Sequence, residues 1–485
     1  MSSDYGLIEA SAVSKWADEA DVVIVGLGCA GVCAAIEARE AGADVLVLER
    51  AGGGGGVTAL AAGHVYLGGG TRVQKAVGVE DTVEDMITYL MMNTPEPDEE
   101  KIRLYCEQSV EHFDWLVAHG VPFNDTMYKG KHVLQMTDEC LIWSGNEEAY
   151  PYREKAKPAP RGHKVAQVGE LGGAKMMDCL IAKAEELGVR IVTNAHVHEL
   201  VREADRIVGV SYRLFGEEQG SVRGRKGVIL AAGQFTNNED LLGKYLPELL
   251  DEGITRQFTP SDDGAGHQLG EIAGGVLKHM DGALLTSPFY PPESHIKGIL
   301  VNKQGKRFVA EDTYHSCSSI MASRQPDKVA YLILDEATYA PDPPSWGAAP
   351  LVDAFESIEE MERALGMPEG SLQETMRSYN EHAEKGEDPE FHKGRKWLQP
   401  LTNAPFAALD VSMGRATFMG FTLGGLDVSL DGEVLDAKGE PVPGLYAIGG
   451  CASNIAQEGT GYSSGTCIGE STFFGRRAGR HVAAA

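Results

Sequence analysis

The chain has 485 residues with 71 Asp and Glu against 43 Lys and Arg, a formal net charge of −28, which excludes nucleic acid and anionic membrane surfaces as expected partners. Its length allows two or three domains with large cores. No stretch approaches the roughly 18 apolar residues of a membrane-spanning helix, so no integral membrane segment is expected. The eight cysteines form no C-x-x-C pair, which leaves no expected metal site and points to reduced thiols in a cytoplasm.

The opening MSSDYGLIEASAVSKWADEA has neither the basic start nor the apolar core of a secretion signal and reads as an amphipathic lead-in over residues 1–20. The next thirty residues organise the rest. Four apolar residues, Val22 to Val25, predict a strand buried on both faces, and Gly26, Gly28 and Gly31 follow at G-x-G-x-x-G spacing. The first glycine allows a tight turn, the second lets a pyrophosphate approach the backbone, and the third lets helix pack on strand. Ala30 to Ala41 reads as the helix, and Val45 to Leu48 as a second strand ending in Glu49, whose carboxylate suits ribose hydroxyls. Strand, helix, strand and acid within about thirty residues predict a dinucleotide site in a Rossmann-like α/β domain.

Five glycines at 52–56 and three at 68–70 predict backbone laid against a flat ring or a phosphate. Helices are expected over Asp81–Met92 and Glu99–His119, and an irregular segment over 124–162, a length that often forms a lid. A helix at Gly173–Leu187, a strand region at Arg190–Val201 and a hairpin of Ile207–Leu214 with Ser221–Gly224 come next. KGVILAAGQF, 226–235, predicts another buried strand, ending in Ala231, Ala232 and Gly233, small residues where a dinucleotide lies against the carboxyl edge of an open sheet. Asp262-Asp263-Gly264 leads into a helix at Gly266–Gly274.

From 282 to 421 the strand–helix alternation breaks down, and this part reads as an inserted α+β substrate domain. It contains a hairpin turning at Gln304-Gly305, a Pro-rich stretch at 340–350 and helices at Ser357–Leu365 and Ser371–Lys385. Residues 1–281 and 422–485 then form one discontinuous cofactor domain, closed by a strand at Leu423–Leu430, a turn at Asp431-Gly432, GLYAIGG at 444–450, and a loop running into a last helix.

The opening unit, AAGQF, GKRFVAED, TLGGLDV, PGLYAIGG and STFFGRRAGR together resemble the flavoproteins related to fumarate reductase and succinate dehydrogenase. That resemblance implies FAD as the dinucleotide, a glutathione reductase-like binding domain, a capping domain and hydride exchange between flavin and a carbon–carbon bond next to a carbonyl. It extends the expected FAD contacts to Cys29, Ala30, Arg50, Ala51, Gly55, Gly56, Val57, Thr58, Ala59, Gly63, Val197, Asp263, Gly449, Gly450, Gly465 and Thr466. The dicarboxylate clamp of fumarate reductases is not in place. No Arg follows Arg307-Phe308 and Glu311, Phe421 stands where that family has His, and Gly450 where it has an acid.

GYSSG at 461–465, with Tyr314, is similar instead to the 3-ketosteroid dehydrogenases that desaturate the bond between carbons four and five. The resemblance implies that Tyr462 polarises the ketone, that Ser464 takes the proton from carbon four with Tyr314 as relay, and that Gly465 and Thr466 amides face the flavin pyrimidine. His64, His163 and His315 are further candidates as acids or bases, and Cys467 reads as packing. Three alternatives stand beside this reading: a Δ1-dehydrogenase, an ene reductase acting on another enone or unsaturated acid, and a flavin-binding electron carrier without its own substrate. No second G-x-G-x-x-G occurs, so the electron acceptor or donor is expected to be external.

Overall fold

The computed structural model describes residues 5–131, 135–215, 219–257, 259–341 and 349–485. Residues 1–4, 132–134, 216–218, 258 and 342–348, among them part of the lead-in, of the 124–162 segment and of the Pro-rich stretch, lie outside the described residues.

A nine-stranded sheet carries the fold. Its parallel part runs Pro441–Ala447, Gln219–Leu230, Asp18–Val25, Val45–Leu48, Arg190–Val192, with Val22 opposite Val45 and Val228 opposite Leu445. Val22, Val23, Ile24, Val45 and Val47 are fully buried, as a strand covered on both faces requires. An antiparallel extension, Ala195–Glu203 and Arg206–Leu214, joins through the first half of Gln219–Leu230. The expected hairpin arm at 221–224 and the start of the expected strand at 226–235 are thus one strand, Gln219–Leu230, which pairs with Arg206–Leu214 through its first half, with Pro441–Ala447 through its last residues, and with Asp18–Val25 across a bulge between Gly224 and Gly227.

Helix Cys29–Glu40 buries 10 of its 12 residues between the sheet and the C-terminal helix Thr466–Ala484. Small residues make that approach possible. A Cβ on Gly475 would stand 2.6 Å from the Ala30 carbonyl oxygen, and one on Gly479 would overlap that of Ala34. Arg476 seals the contact on Glu37 at 2.7 Å. The GRRAG motif is therefore a helix-crossing device. Gly479→Val should lower the unfolding free energy by about 3 kcal/mol or more, read as a depressed Tm, whereas Ala485 at the exposed helix end should tolerate Val unchanged.

A second, four-stranded antiparallel sheet orders Ile299–Asn302, Ala330–Asp335, Phe406–Asp410 and Leu351–Phe355. Helices Ile358–Ala364 and Ser371–Ala383 cover one face, packing Met361, Leu372 and Met376 on Val301 and Ile333. The architecture is α/β, a Rossmann-like sheet with an inserted α+β unit.

Four local expectations change. Residues 6–9 form a strand, pairing in parallel with Ala195–Glu203, not an amphipathic lead-in. The helix expected over Glu99–His119 breaks at Gln108 into Glu99–Glu107 and Ser109–Ala118. The strand expected over Leu423–Leu430 shrinks to Gly425–Leu426: Gly424, at φ +82°, bars its start at Leu423, and beyond Leu426 the chain keeps only an isolated bridge, Val428 to Val434. The 298–316 hairpin turns at Gly305, where Asn302 N donates to Lys306 O at 2.9 Å. Its return arm keeps one bridge, Val301 to Arg307.

Candidate active site

One cavity of about 1360 Å³ runs along the carboxyl edge of the parallel strands. The three motif glycines divide their work. Gly26 has φ +107°, and a Cβ there would overlap the Ala231 carbonyl oxygen; a Cβ on Gly31 would overlap that of Gly26. Both are required by packing. Gly28, the N-cap of helix Cys29–Glu40, faces open space and lines the cavity, so that helix N-terminus is free to meet an anion. At the end of the second strand Glu49 accepts Leu27 N and Ala51 N, one on each oxygen, both at 2.7 Å. Each carboxylate oxygen keeps a lone pair for a hydroxyl. Burial pushes its carboxyl above the ordinary range against the pull of those amides. Open space at Gly28 and an acid held by backbone amides fit FAD.

At the other end stand Tyr462 and Ser464, in the loop ahead of the C-terminal helix. Tyr314 Oη donates to Ser464 Oγ, and Ser464 N donates to Ser144 O at 2.7 Å. Tyr314 lies behind Ser464 rather than on the wall and is 2% exposed. Burial raises the phenols of Tyr314 and Tyr462 above their ordinary value, so both are neutral donors near pH 7. Tyr462 sits against the Cys467 thiol, with Phe421 edge-on at 6.2 Å. Gly465 takes φ +98°, and a Cβ there would stand 2.7 Å from Tyr66 N, so the position requires glycine on both counts. The N-terminus of the final helix thereby opens on the cavity.

Three histidines answer differently. His163 bonds Thr71 Oγ1 at 2.8 Å and the Arg161 carbonyl at 3.0 Å, and it is packed away from the cavity. His64 and His315 both line the cavity, and the Nε2 of each finds no partner among the described residues. Burial lowers them to about 4 and about 3, so both are neutral imidazoles at pH 7.

Cys29, Ala30, Arg50, Ala51, Gly56, Val57, Thr58, Val197, Ala231, Ala232, Gly233, Gly449, Gly450 and Gly465 line the cavity with Gly26, Gly28 and Glu49. Six residues expected at the cofactor stand behind the wall. Gly31 is used in packing. Gly55 makes a turn at φ +125°, its N bonded to Leu27 O, and Ala59 N closes the same turn on Gly55 O. Gly63, at φ +75°, is backed by Gly172 and Gly173. Asp263 pairs with Arg50 and accepts Tyr5 Oη at 2.8 Å, leaving the wall to Asp262. Thr466 N donates to Ser463 O at 3.1 Å, so that amide is engaged within the helix start. Arg307 is enclosed by Glu311 and Asp388 at 2.9 Å each and does not reach the cavity. Missed by sequence reasoning were Glu147 and Glu470, buried carboxyls raised to about 7 by desolvation, and Asn146. None sits in a motif, and no local signal marks them.

This fold and this cavity at the strand ends fit the class of FAD-binding flavoproteins. The FAD binding domain family matches residues 21–465, and the chain belongs to that family, among flavoproteins of the fumarate reductase and 3-ketosteroid dehydrogenase type. It is similar to the crystal structure of 3-ketosteroid-Δ4-(5α)-dehydrogenase from Rhodococcus jostii in complex with 4-androstene-3,17-dione, at 42% identity and a TM-score of 0.93, covering 98% of this chain and 99% of that one. A 3-oxo-5-alpha-steroid 4-dehydrogenase from Comamonas testosteroni is 27% identical over 90% of this chain and 93% of its own. A urocanate reductase from Eggerthella lenta is 29% identical over 96% and 75%. The protein is an FAD-dependent oxidoreductase acting on CH–CH groups. Among the described residues no helix is long and apolar enough to cross a membrane.

Proposed function

We propose that the protein is a 3-ketosteroid Δ4-dehydrogenase, which removes two hydrogens across carbons four and five of a saturated 3-ketosteroid, with residues 282–421 as the cap over the flavin. The observation that carries this reading is the Tyr314–Ser464 hydrogen bond, made just behind the cavity wall that Ser464 and Tyr462 line. A proton next to a ketone leaves only if charge on the carbonyl oxygen is stabilised as it develops. Tyr462 Oη, kept neutral by burial, donates to that oxygen. In the reactive form Tyr314 has given up its phenol proton to solvent, so Ser464 Oγ passes its own proton to the Tyr314 phenolate as it takes the proton from carbon four. A serine hydroxyl alone is too weak a base, so the relay is required. Bound FAD supplies the acceptor for the hydride of carbon five. The Gly465 end of the helix dipole favours negative charge beside it.

The wall favours a neutral substrate. Among the described residues its cations are Arg50, paired with Asp263, and Arg256, which reaches Thr236 O at 3.4 Å. Phe421 puts an apolar ring where a dicarboxylate would need a cation. The similarity to the Rhodococcus jostii enzyme supports the steroid class. Product analysis tests it: with an artificial electron acceptor, a 5α- or 5β-saturated 3-ketosteroid should yield the Δ4-3-ketone. A Δ1 product, or turnover only from an enone with reduced flavin, would overturn the assignment.

A further inference from the structure

Tyr314 and Ser464 come from segments 150 residues apart, and their hydrogen bond needs both held in place. Residues 144–146, in the segment with no motif, touch both. Ser144 O accepts Ser464 N at 2.7 Å. Gly145 leaves room for Ser463 and for Tyr89, whose hydroxyl would stand 2.5 Å from a Cβ there. Asn146, 1% exposed, uses both ends of its amide. Its Oδ1 accepts Tyr314 N at 2.7 Å, and its Nδ2 donates to Thr460 O at 3.2 Å, in the loop that carries Tyr462 and Ser464. Its own N donates to Tyr89 Oη at 2.8 Å, which bonds Ser463 Oγ at 2.8 Å. This segment is thus an inner wall between the two loops.

Resting on the dehydrogenase reading above, we infer that Asn146 is a positioning residue: it ties the Tyr314 backbone to the Thr460–Ser464 loop and so fixes the Tyr314–Ser464 relay. Asn146 bonds both segments through the two ends of one amide, and an amide is needed, since one end must accept an N–H while the other donates to a carbonyl. Misplacement of reacting groups by about 1 Å costs roughly a hundredfold in rate, so the tie acts on the chemical step more than on binding.

The test is stopped-flow flavin reduction of FAD-loaded Asn146→Ala and Asn146→Asp by a saturated 3-ketosteroid, with product affinity measured on the oxidised enzyme. Asn146→Ala should slow reduction roughly tenfold to a hundredfold while FAD content and product affinity stay near parent. Asn146→Asp keeps the acceptor for Tyr314 N and regains the donor to Thr460 O only when protonated, so its rate relative to parent should fall as pH rises. Taking the ratio cancels the titration of Glu147 and of the neighbouring Tyr66, Tyr89 and Tyr314. If Asn146→Ala does not hold FAD, Tyr89→Phe carries the test with a smaller loss in the same rate. Parent-like reduction in the variants, or a pH-independent ratio for Asn146→Asp, would overturn the inference. A parent enzyme that no ketosteroid reduces would instead sink the dehydrogenase reading. The tie is then judged by hydrogen exchange, where Asn146→Ala must loosen 310–316 and 458–464 together; unchanged exchange in both overturns it.

Discussion

Ser464→Ala should reduce its flavin with a saturated 3-ketosteroid about a thousandfold more slowly than the parent, while FAD content and product affinity hold. The side chain is small and its backbone N is anchored on Ser144 O, so removing the hydroxyl leaves the loop in place and takes away the atom that receives the proton. Tyr462→Phe should lose about a hundredfold to a thousandfold, the scale for deleting one donor to a developing oxyanion. Tyr314→Phe should lose about as much as Ser464→Ala, because Ser464 without its relay is too weak a base, and its further signature is in the pH profile. Burial holds the Tyr314 phenol above its ordinary value. Dehydrogenation by the parent should therefore keep rising with pH without a plateau below about pH 10. Tyr314→Phe should flatten that rise. Stopped-flow absorbance from pH 6 to 10 checks all three variants, and parent-like rates in them would remove these residues from the chemistry.

Gly28→Val should give a folded, colourless protein. Gly28 has ordinary extended backbone, φ −82°, and nothing within 4 Å of the place a Cβ would occupy, so the apoprotein should fold with near-parent stability. The added isopropyl group fills the space where the pyrophosphate meets the helix N-terminus, and FAD affinity should fall by about a hundredfold or more, since each tenfold is about 1.4 kcal/mol. Gly31→Val makes the contrast, because its Cβ would overlap the Gly26 carbonyl; that variant should fail to fold. The flavin-to-protein absorbance ratio, read with circular dichroism, separates the two. A yellow Gly28→Val would place the dinucleotide elsewhere.

What the sequence discloses follows the range of the interactions. The cradle is legible because glycine spacing, strand and Glu49 act within one βαβ unit, and their packing is written in residue size. The GYSSG loop is legible through its resemblance. The strand at 6–9 is not, because its partner lies near residue 200 and four residues carry no periodicity. Thr466 stands apart for a different reason: its amide is engaged on Ser463 O at the helix start, a bond that depends on the turn adopted at Gly465. Asn146, Glu147 and Glu470 are invisible because their meaning is tertiary. A polar residue in an irregular stretch reads as surface until the loop it bonds, more than 300 residues away, is folded against it. His163 shows the converse, a tempting residue whose nitrogens are satisfied by Thr71 and the Arg161 carbonyl, away from the cavity.

The most direct measurement is an anaerobic titration of the purified holoenzyme, following oxidised-flavin absorbance while a 5α- or 5β-saturated 3-ketosteroid is added. The account predicts bleaching by a saturated ketone, with one equivalent of Δ4-3-ketone formed per flavin reduced. An absorbance that stays unchanged with both epimers, or that bleaches only with a Δ4-3-ketone to give a dienone, would contradict it.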